Sequence, residues 1–343
     1  MIRFFSALLI CMLSVPSFVQ AEEDDLANQV VGAPVAQNET HRLASIRLIE
    51  NYLLPTYERL SLQMSAQAEV WQTVCPAPTK PQLEELQQHY KNAAGMWARV
   101  EFIRFGPVSF LLRHERVSHW PERRNAVGRA LSSLMANPDG DALAPKQFSR
   151  ASVAVQGLPA LERLLFTQED KWQNPTDEAA IAWRCAVGQA IATNLATISR
   201  EIVEGWKDAE GPLEQARAGK TMGLYYTDAS DLGRRLLTDQ LTGFQIMGDI
   251  KLAAPRGVAL EEGQEPVVKS SKLEAWRSGL SKANLLANLY AMKGMTHAWG
   301  VTSTWSDAQR ADVESAFQKT HASFSALPDD MKSGLNEGTA QAS

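Results

Sequence analysis

From His41 onward, apolar residues recur at three- and four-residue steps. Leu43, Ile46, Ile49, Leu53, Tyr57, Leu60, Met64 and Trp71 fall on one face of a helix, and Pro55 is expected to kink it. A second helix opens at Thr79-Lys80-Pro81, an N-cap followed by proline in the first turn. It carries Leu83, Leu86, Tyr90, Ala94, Trp97 and Val100 and stops at Gly106-Pro107. Residues 106–148 are less regular, with a short helix near 124–135 and a turn at Asn137-Pro138-Asp139-Gly140. Helices over 152–166 and 176–207 follow, the latter with Ile181, Cys185, Ile191, Leu195, Ile198 and Ile202 in register. Gly205 and the 208–212 stretch mark a boundary.

The second half repeats the style. Ser230-Asp231 caps a helix carrying Leu232, Leu236, Phe244, Met247 and Ile250, and a Gly/Glu/Pro loop over 255–266 separates it from a helix over 272–293. Ser306-Asp307 caps another, with Val313, Ala316, Phe317 and Phe324. Alternating β-branched runs and Asn-Gly hairpins are missing. The pattern predicts an all-α chain of two tandem four-helix-bundle-like domains, 39–208 and 209–335, with a flexible lead-in over 22–38 and a disordered tail over 336–343.

The start of the chain breaks this pattern. Arg3 precedes an uncharged apolar run from Phe4 to Val15, and Val19-Gln20-Ala21 offers small residues before acidic Glu22 and Glu23. This reads as a cleaved secretory signal over 1–21. The run is shorter than the roughly 20 residues that span a bilayer, and Cys11 sits inside it beside bulky Ile10, unlike a lipidation site. A periplasmic protein with no transmembrane segment in its mature chain is expected. Cleavage removes one of the three cysteines and leaves Cys75 and Cys185, which an exported protein is expected to join as a disulfide.

Composition narrows the function. Of 343 residues, 34 are Lys or Arg and 39 are Asp or Glu, a net charge of −5. That balance excludes the basic surface of a nucleic-acid binder and argues against docking on anionic lipid. Nucleophile-elbow, phosphate-loop and dinucleotide-fingerprint motifs are missing from the sequence. His114 and His119 flank Glu115 at i and i+5, so they do not share a helix face as the zinc-protease motif requires. The neighbouring Arg113, Arg116, Arg123 and Arg124 suit a solvated or anion-contacting loop instead.

Three segments carry candidate chemistry: Arg104-Phe105-Gly106-Pro107, His119-Trp120-Pro121-Glu122-Arg123-Arg124, and Gly157-Leu158-Pro159-Ala160-Leu161-Glu162-Arg163. In the last, Glu162 lies among apolar residues, where a buried carboxylate must be paired or ligated. With Trp120-Pro121 and Glu274-Ala275-Trp276-Arg277-Ser278-Gly279-Leu280-Ser281, these segments resemble the imelysin-like proteins, exported bacterial helical proteins tied to iron uptake. The resemblance covers roughly residues 40–325 and implies two helical bundles with a functional cleft between them. The family's G-x-H-x-x-E motif aligns with Gly157 and Glu162, but Pro159 stands at the histidine. Proline has no ligand atom, so the i, i+3 His/Glu pair that could hold a metal is gone.

The resemblance therefore implies a non-catalytic binding protein of an iron-related pathway, whose cleft is lined by Glu162, Gly157, Arg104, Trp120, Arg277 and Ser278. The arginines would pair with Glu162 or grip an anionic ligand, whereas Trp97 and Trp276 are assigned to core packing. Candidate partners are a small ligand, a metal species such as iron or another divalent ion, or a periplasmic protein. The alternatives are a metal-dependent peptidase and a partner-binding scaffold.

Overall fold

The computed structural model describes residues 39–75, 78–167, 172, 177–221, 226–257 and 267–342. The expected signal segment, the lead-in and most of the 255–266 loop lie outside the described residues. Among those residues no helix is long and apolar enough to cross a membrane.

A helix over 39–48 continues through a π-helical turn, Ile49–Leu53, into Leu54–Val74, and together these form α1. The expected kink thus takes the form of a widened turn placed just before Pro55, which lacks the N–H that a regular α-helical register would use. The periodic face of α1 is the buried one: Ile49, Leu53, Tyr57, Leu60, Met64 and Trp71 are fully covered. Helix α2, Lys80–Trp97, opens with a capping box between Thr79 and Gln82. Helices α3, Ala126–Ala136, and α4, Leu158–Phe166, follow. Helix α5, Glu178–Lys207, is capped by Asp177, whose Oδ1 accepts from Ala180 N at 3.0 Å.

In the second half, α6 spans Ala229–Gln245 and runs on through a π-helical stretch, Ile246–Ala253. Its cap is Asp228, accepting from Asp231 N at 2.8 Å, rather than Ser230. Helices α7, Ser281–Trp299, α8, Asp307–Ser325 (capped by Ser306 as expected), and α9, Met331–Ala342, complete the chain. The disordered tail expected after Leu335 is therefore replaced, among the described residues, by the body of α9, which carries buried Met331 in its first turn.

Helix α5 lies along α1, and Gly188 permits the approach: a Cβ there would come within 2.2 Å of the Trp71 ring. Helix α2 packs on α1 and α4, and α6 and α8 pack on α7. Helix α7 also touches α2 and the π-turn of α1, so one apolar core runs through both halves.

Two departures from helical periodicity build the site. The helix expected over 152–166 breaks at Gly157, where Val153–Gln156 ends and α4 begins. A Cβ at Gly157 would fall 2.4 Å from the Val117 carbonyl oxygen, so glycine serves a close backbone approach rather than ligand binding. The helix expected over 272–293 starts only at Ser281. Residues 273–280 are irregular because Ala275 (φ 47°) and Gly279 (φ 72°) adopt left-handed conformations.

Cys75 and Cys185 form the expected disulfide, with Cα atoms 5.7 Å apart, tying the end of α1 to α5. Closing a loop of 110 residues stabilises by roughly 4–5 kcal/mol in the chain-entropy model. Cys75→Ser/Cys185→Ser should lose about that much in urea unfolding at unchanged native helicity, and reductant should have no further effect on the variant.

Candidate functional site

The irregular segment 273–280 leaves two neighbouring backbone N–H groups to a carboxylate from the other half of the chain. Glu162 on α4, only 3% exposed, accepts from Arg277 N at 3.0 Å and Ser278 N at 2.9 Å through Oε1. Ser278 Oγ lies 2.9 Å from the same oxygen. The Arg277 guanidinium is farther away, 3.8 Å from Oε2. Burial raises the Glu162 carboxyl above its ordinary range, against the opposing pull of Ser278 and Arg277, and burial likewise lowers the Arg277 guanidinium. Both ions move toward neutrality, so the long ion pair does not offset their desolvation, and the backbone N–H groups are the stronger hold. Tyr90 of α2 hydrogen-bonds Ser278, and burial beside Glu162 and Glu274 keeps its phenol protonated.

A mirror arrangement holds the segment after α2. Asp239, buried on α6, accepts through Oδ2 from Arg104 N at 2.9 Å and Phe105 N at 3.0 Å. Burial pushes its carboxyl up to about 6, partly opposed by these two N–H bonds. The Arg104 side chain turns away from Glu162. Its Nη1 lies 2.5 Å from His114 Nδ1 and 3.4 Å from Glu115. His114 Nε2 meets the Glu101 carbonyl at 2.5 Å, so the imidazole donates from Nε2 and accepts at Nδ1. Burial, reinforced by the Arg104 charge, lowers this imidazole to about 3 and keeps it neutral. The predicted cleft role of Arg104 is thus replaced by a structural one.

Between the two carboxylate clamps lies a fully buried charge cluster. Lys251 Nζ, on the π-helical stretch after α6, bonds Glu101 Oε1, lies 2.6 Å from Glu274 Oε2 and donates to Asn288 Oδ1 at 2.7 Å. Asn288 Nδ2 donates to Glu101 Oε1 at 2.7 Å, and Asn284 Nδ2 to Glu274 Oε2 at 3.0 Å. Burial, reinforced by the Glu274 charge, raises Glu101 to about 8, whereas Lys251 and hydrogen bonds from Glu101 and Asn284 hold Glu274 below the usual carboxylate range. At neutral pH Glu101 therefore carries a proton that it donates to Glu274, and the three side chains sum to zero charge.

A cleft of about 720 Å³ opens over these elements, lined from both halves by α2, the 118–125 segment, α4 and residues 271–277. Glu162 and Trp120 line it, with Lys251 Nζ 5.7 Å from the Trp120 ring centroid; Arg277 does too, stacked on Trp276 at 4.1 Å. Gly157, Arg104 and Ser278 do not, Ser278 lying behind Glu162. The structure thus brings Glu162, Arg277 and Ser278 into contact, places Trp120 in the same cleft and leaves Arg104 outside it. The cleft wall adds Arg123, Arg124, Arg163 and Lys272, of which Arg163 is paired with Glu122 and bonds Asn125 at 2.7 Å. Trp97 lies in the core and Trp276 packs half-buried against it, as the sequence suggests, and both also line the cleft. Three shielded polar atoms on its wall have no protein partner among the described residues: Trp97 Nε1, Trp276 Nε1 and Asn284 Oδ1.

The donor set does not suit a metal ion. Pro159 lines the cleft without a ligand atom, Glu162 Oε1 is engaged by three donors, and the ammonium of Lys251 already sits between Glu101 and Glu274. No group of three His, Cys, Asp or Glu side chains able to hold a metal occurs among the described residues.

Two measurements test this geometry. Glu162→Ala and Asp239→Ala should each cost about 3 kcal/mol in chemical denaturation, because each strips a buried acceptor from two backbone donors. For Glu101, the folded carboxyl titrates near 8 against a reference of 4.5. The folded state holds the extra proton between those values, so its stabilisation is complete below the lower one and is lost as pH rises through 8. Stability should fall as pH rises from 4.5 to about 8 and level off above that. Glu101→Gln, which keeps the donor to Glu274, should flatten that fall by more than about 1 kcal/mol, whereas an unchanged slope would place the titration elsewhere.

The family model for Imelysin matches residues 53–343. Among solved structures, the chain is similar to an imelysin-like protein from Psychrobacter arcticum 273-4 at 20% identity and a TM-score of 0.68, covering 88% of this chain and 90% of that one. It is also similar to a putative iron-regulated protein A precursor from Parabacteroides distasonis ATCC 8503 at 13% identity and a TM-score of 0.66, covering 88% and 89%. At these identities the structural likeness speaks for the fold alone. No curated protein matches the chain. The all-helical architecture and a match over most of its length place the chain in the imelysin family.

Proposed function

We propose that the chain is a non-catalytic, periplasmic binding protein that takes an anionic ligand in the cleft between its two halves. The carrying observation is the charge of the cleft wall. The cations Arg123, Arg124, Arg163, Lys272 and Arg277 outnumber the lining carboxylates Glu122, Glu162 and Glu274, on a chain whose overall charge is −5. A positive cleft on a negative protein selects anions, and Arg277 and Trp276 together offer a charged, planar platform.

The iron connection rests on the name of one structural neighbour, an iron-regulated protein precursor. With Glu162 engaged by backbone and Pro159 lacking a donor, iron fits this cleft as an anionic chelate gripped by arginines rather than as a bare ion ligated by the protein. The competing reading is a metal-dependent peptidase, favoured by the peptidase label that the matching family model carries. That chemistry needs a metal-bound water and a general base, and Glu162 has one oxygen engaged by three donors and the other beside the Arg277 guanidinium.

The test combines metal analysis with calorimetry. The purified protein should carry no stoichiometric zinc or iron and show no chelator-sensitive peptide cleavage. Citrate or ferric citrate should bind one per chain, at least tenfold more weakly to Arg277→Ala/Arg124→Ala. Stoichiometric metal with chelator-sensitive cleavage would establish the peptidase instead. Capture of a periplasmic partner undiminished by Glu162→Ala, with no anion binding, would favour a scaffold.

A further inference from the structure

A second concavity lies away from the cleft, along the outer face of α5. Trp183, Ala190, Asn194 and Glu201 floor a groove of about 780 Å³, walled by residues 140–149 and by Leu111. At 1.5 Å of rise per residue, the floor from Trp183 to Asn194 is roughly 16 Å long. Its lining is mixed in chemistry: Trp183, Leu143 and buried Phe148 are apolar, whereas Arg116 stands beside Asn194.

Arg116 is held in an unusual way. Its Nε donates to Gln156 Oε1 at 2.8 Å and its Nη2 to Asn194 Oδ1 at 3.1 Å. Both amides are buried and fixed in turn. Gln156 Nε2 donates to the Ala151 carbonyl at 2.5 Å, and Asn194 Nδ2 lies 3.4 Å from Gln156. These acceptors are neutral. Among the described residues Arg116 forms no ion pair, and three of its five N–H groups have no protein partner. The nearest carboxylate, Glu201, is engaged by Arg113 at 3.1 Å. Desolvation lowers the Arg116 guanidinium, with Glu201 opposing and Arg113 adding to the shift. A half-buried guanidinium, oriented by two rigid amides and joined in no ion pair among the described residues, offers open N–H groups that suit an anion.

We propose that this groove binds an amphipathic monocarboxylate, its carboxylate on the open N–H groups of Arg116 and its apolar body lying along Ala190 toward Phe148 and Trp183. One cation with Glu201 close by suits a single negative charge better than a doubly charged phosphate. The mixed lining, with Arg116 beside Asn194 and apolar Leu143, Phe148 and Trp183, requires both features in one ligand. This site is independent of the interdomain cleft and shares no lining residue with it.

The experiment is calorimetric titration of the full mature chain with decanoate below its micellar concentration, with decanol and hexanoate as comparisons. Decanoate should bind one per chain, with decanol and hexanoate each at least tenfold weaker. Arg116→Gln should weaken decanoate at least tenfold, and Ala190→Phe, which fills the floor of the groove, should abolish binding. Circular dichroism melts establish that each variant is folded, and if Arg116→Gln is not, Ala190→Phe carries the test. Arg277→Ala, in the other cleft, should leave decanoate binding unchanged. The proposal is overturned if wild-type protein binds no decanoate, if decanol binds equally well (apolar adsorption only), if Ala190→Phe binds as wild type, or if Arg277→Ala removes the binding. None of these outcomes bears on anion binding in the interdomain cleft, which citrate reads separately.

Discussion

Two buried carboxylates, each holding the backbone of the opposite half of the chain, are the constraint on which the site depends. Glu162 reaches 115 residues along the sequence to the N–H of Arg277, and Asp239 reaches 135 residues back to that of Arg104. In each case the receiving segment has abandoned regular structure, at Ala275 and Gly279 in one and at Gly106 in the other. An irregular segment buried without partners would carry unsatisfied donors. The carboxylates remove that penalty only when the two halves are docked. Correct docking and local backbone geometry are therefore one event, which is what a binding cleft with walls from both halves requires.

The cluster of Glu101, Lys251 and Glu274 works under the same restriction, since all three side chains are buried. Two carboxylates and one ammonium would leave a net negative charge in an apolar interior, so one carboxyl retains a proton. Burial raises Glu101 for this purpose, while hydrogen bonds and Lys251 keep Glu274 ionised. His114 follows the complementary rule. It is neutral because its ring is enclosed and faces the Arg104 cation, and its two nitrogens brace Arg104 against the Glu101 carbonyl. The clamp at Asp239 and the buried triad thus touch through residues 101–105, so a disturbance in one is felt in the other.

Much of the fold was legible in the order of apolar residues, because burial of a helix face imposes a period that survives in sequence. The faces of α1, α2 and α5, the capping box at Thr79 and the cap at Ser306 all carry such local signals. Glu162 was legible too, as a charge inside an apolar stripe. The same signal existed at Asp239, which follows Leu232 and Leu236 at core spacing, and at Lys251, four residues beyond Met247, and it was overlooked there. What no local pattern carries is the partner, since these contacts join residues more than a hundred positions apart. The start of the helix expected over 272–293 shifts to Ser281 for the same reason. The composition of 272–280 suits a helix, and the distant Glu162 acceptor helps to hold the left-handed turns that replace it. Arg104 lies outside the cleft, its backbone and side chain facing different partners, and residue type reports only the side chain.

The contacts of Glu162 are those of a structural anchor rather than a metal ligand. A glutamate that ligates a metal needs its lone pairs directed at the ion and its neighbours arranged around it. Here one oxygen is occupied by two backbone N–H groups and a serine hydroxyl, and proline in the first turn of α4 costs nothing because that position needs no N–H. The residue is retained as the anchor of the segment that carries Trp276 and Arg277. Those two side chains line the cleft while the peptide groups behind them are held by Glu162, so the cleft wall and the clamp between the two halves are the two faces of one short loop. The clamp runs through backbone N–H groups and the guanidinium contact is long, 3.8 Å, so the Arg277 side chain can shift while the cleft keeps its shape.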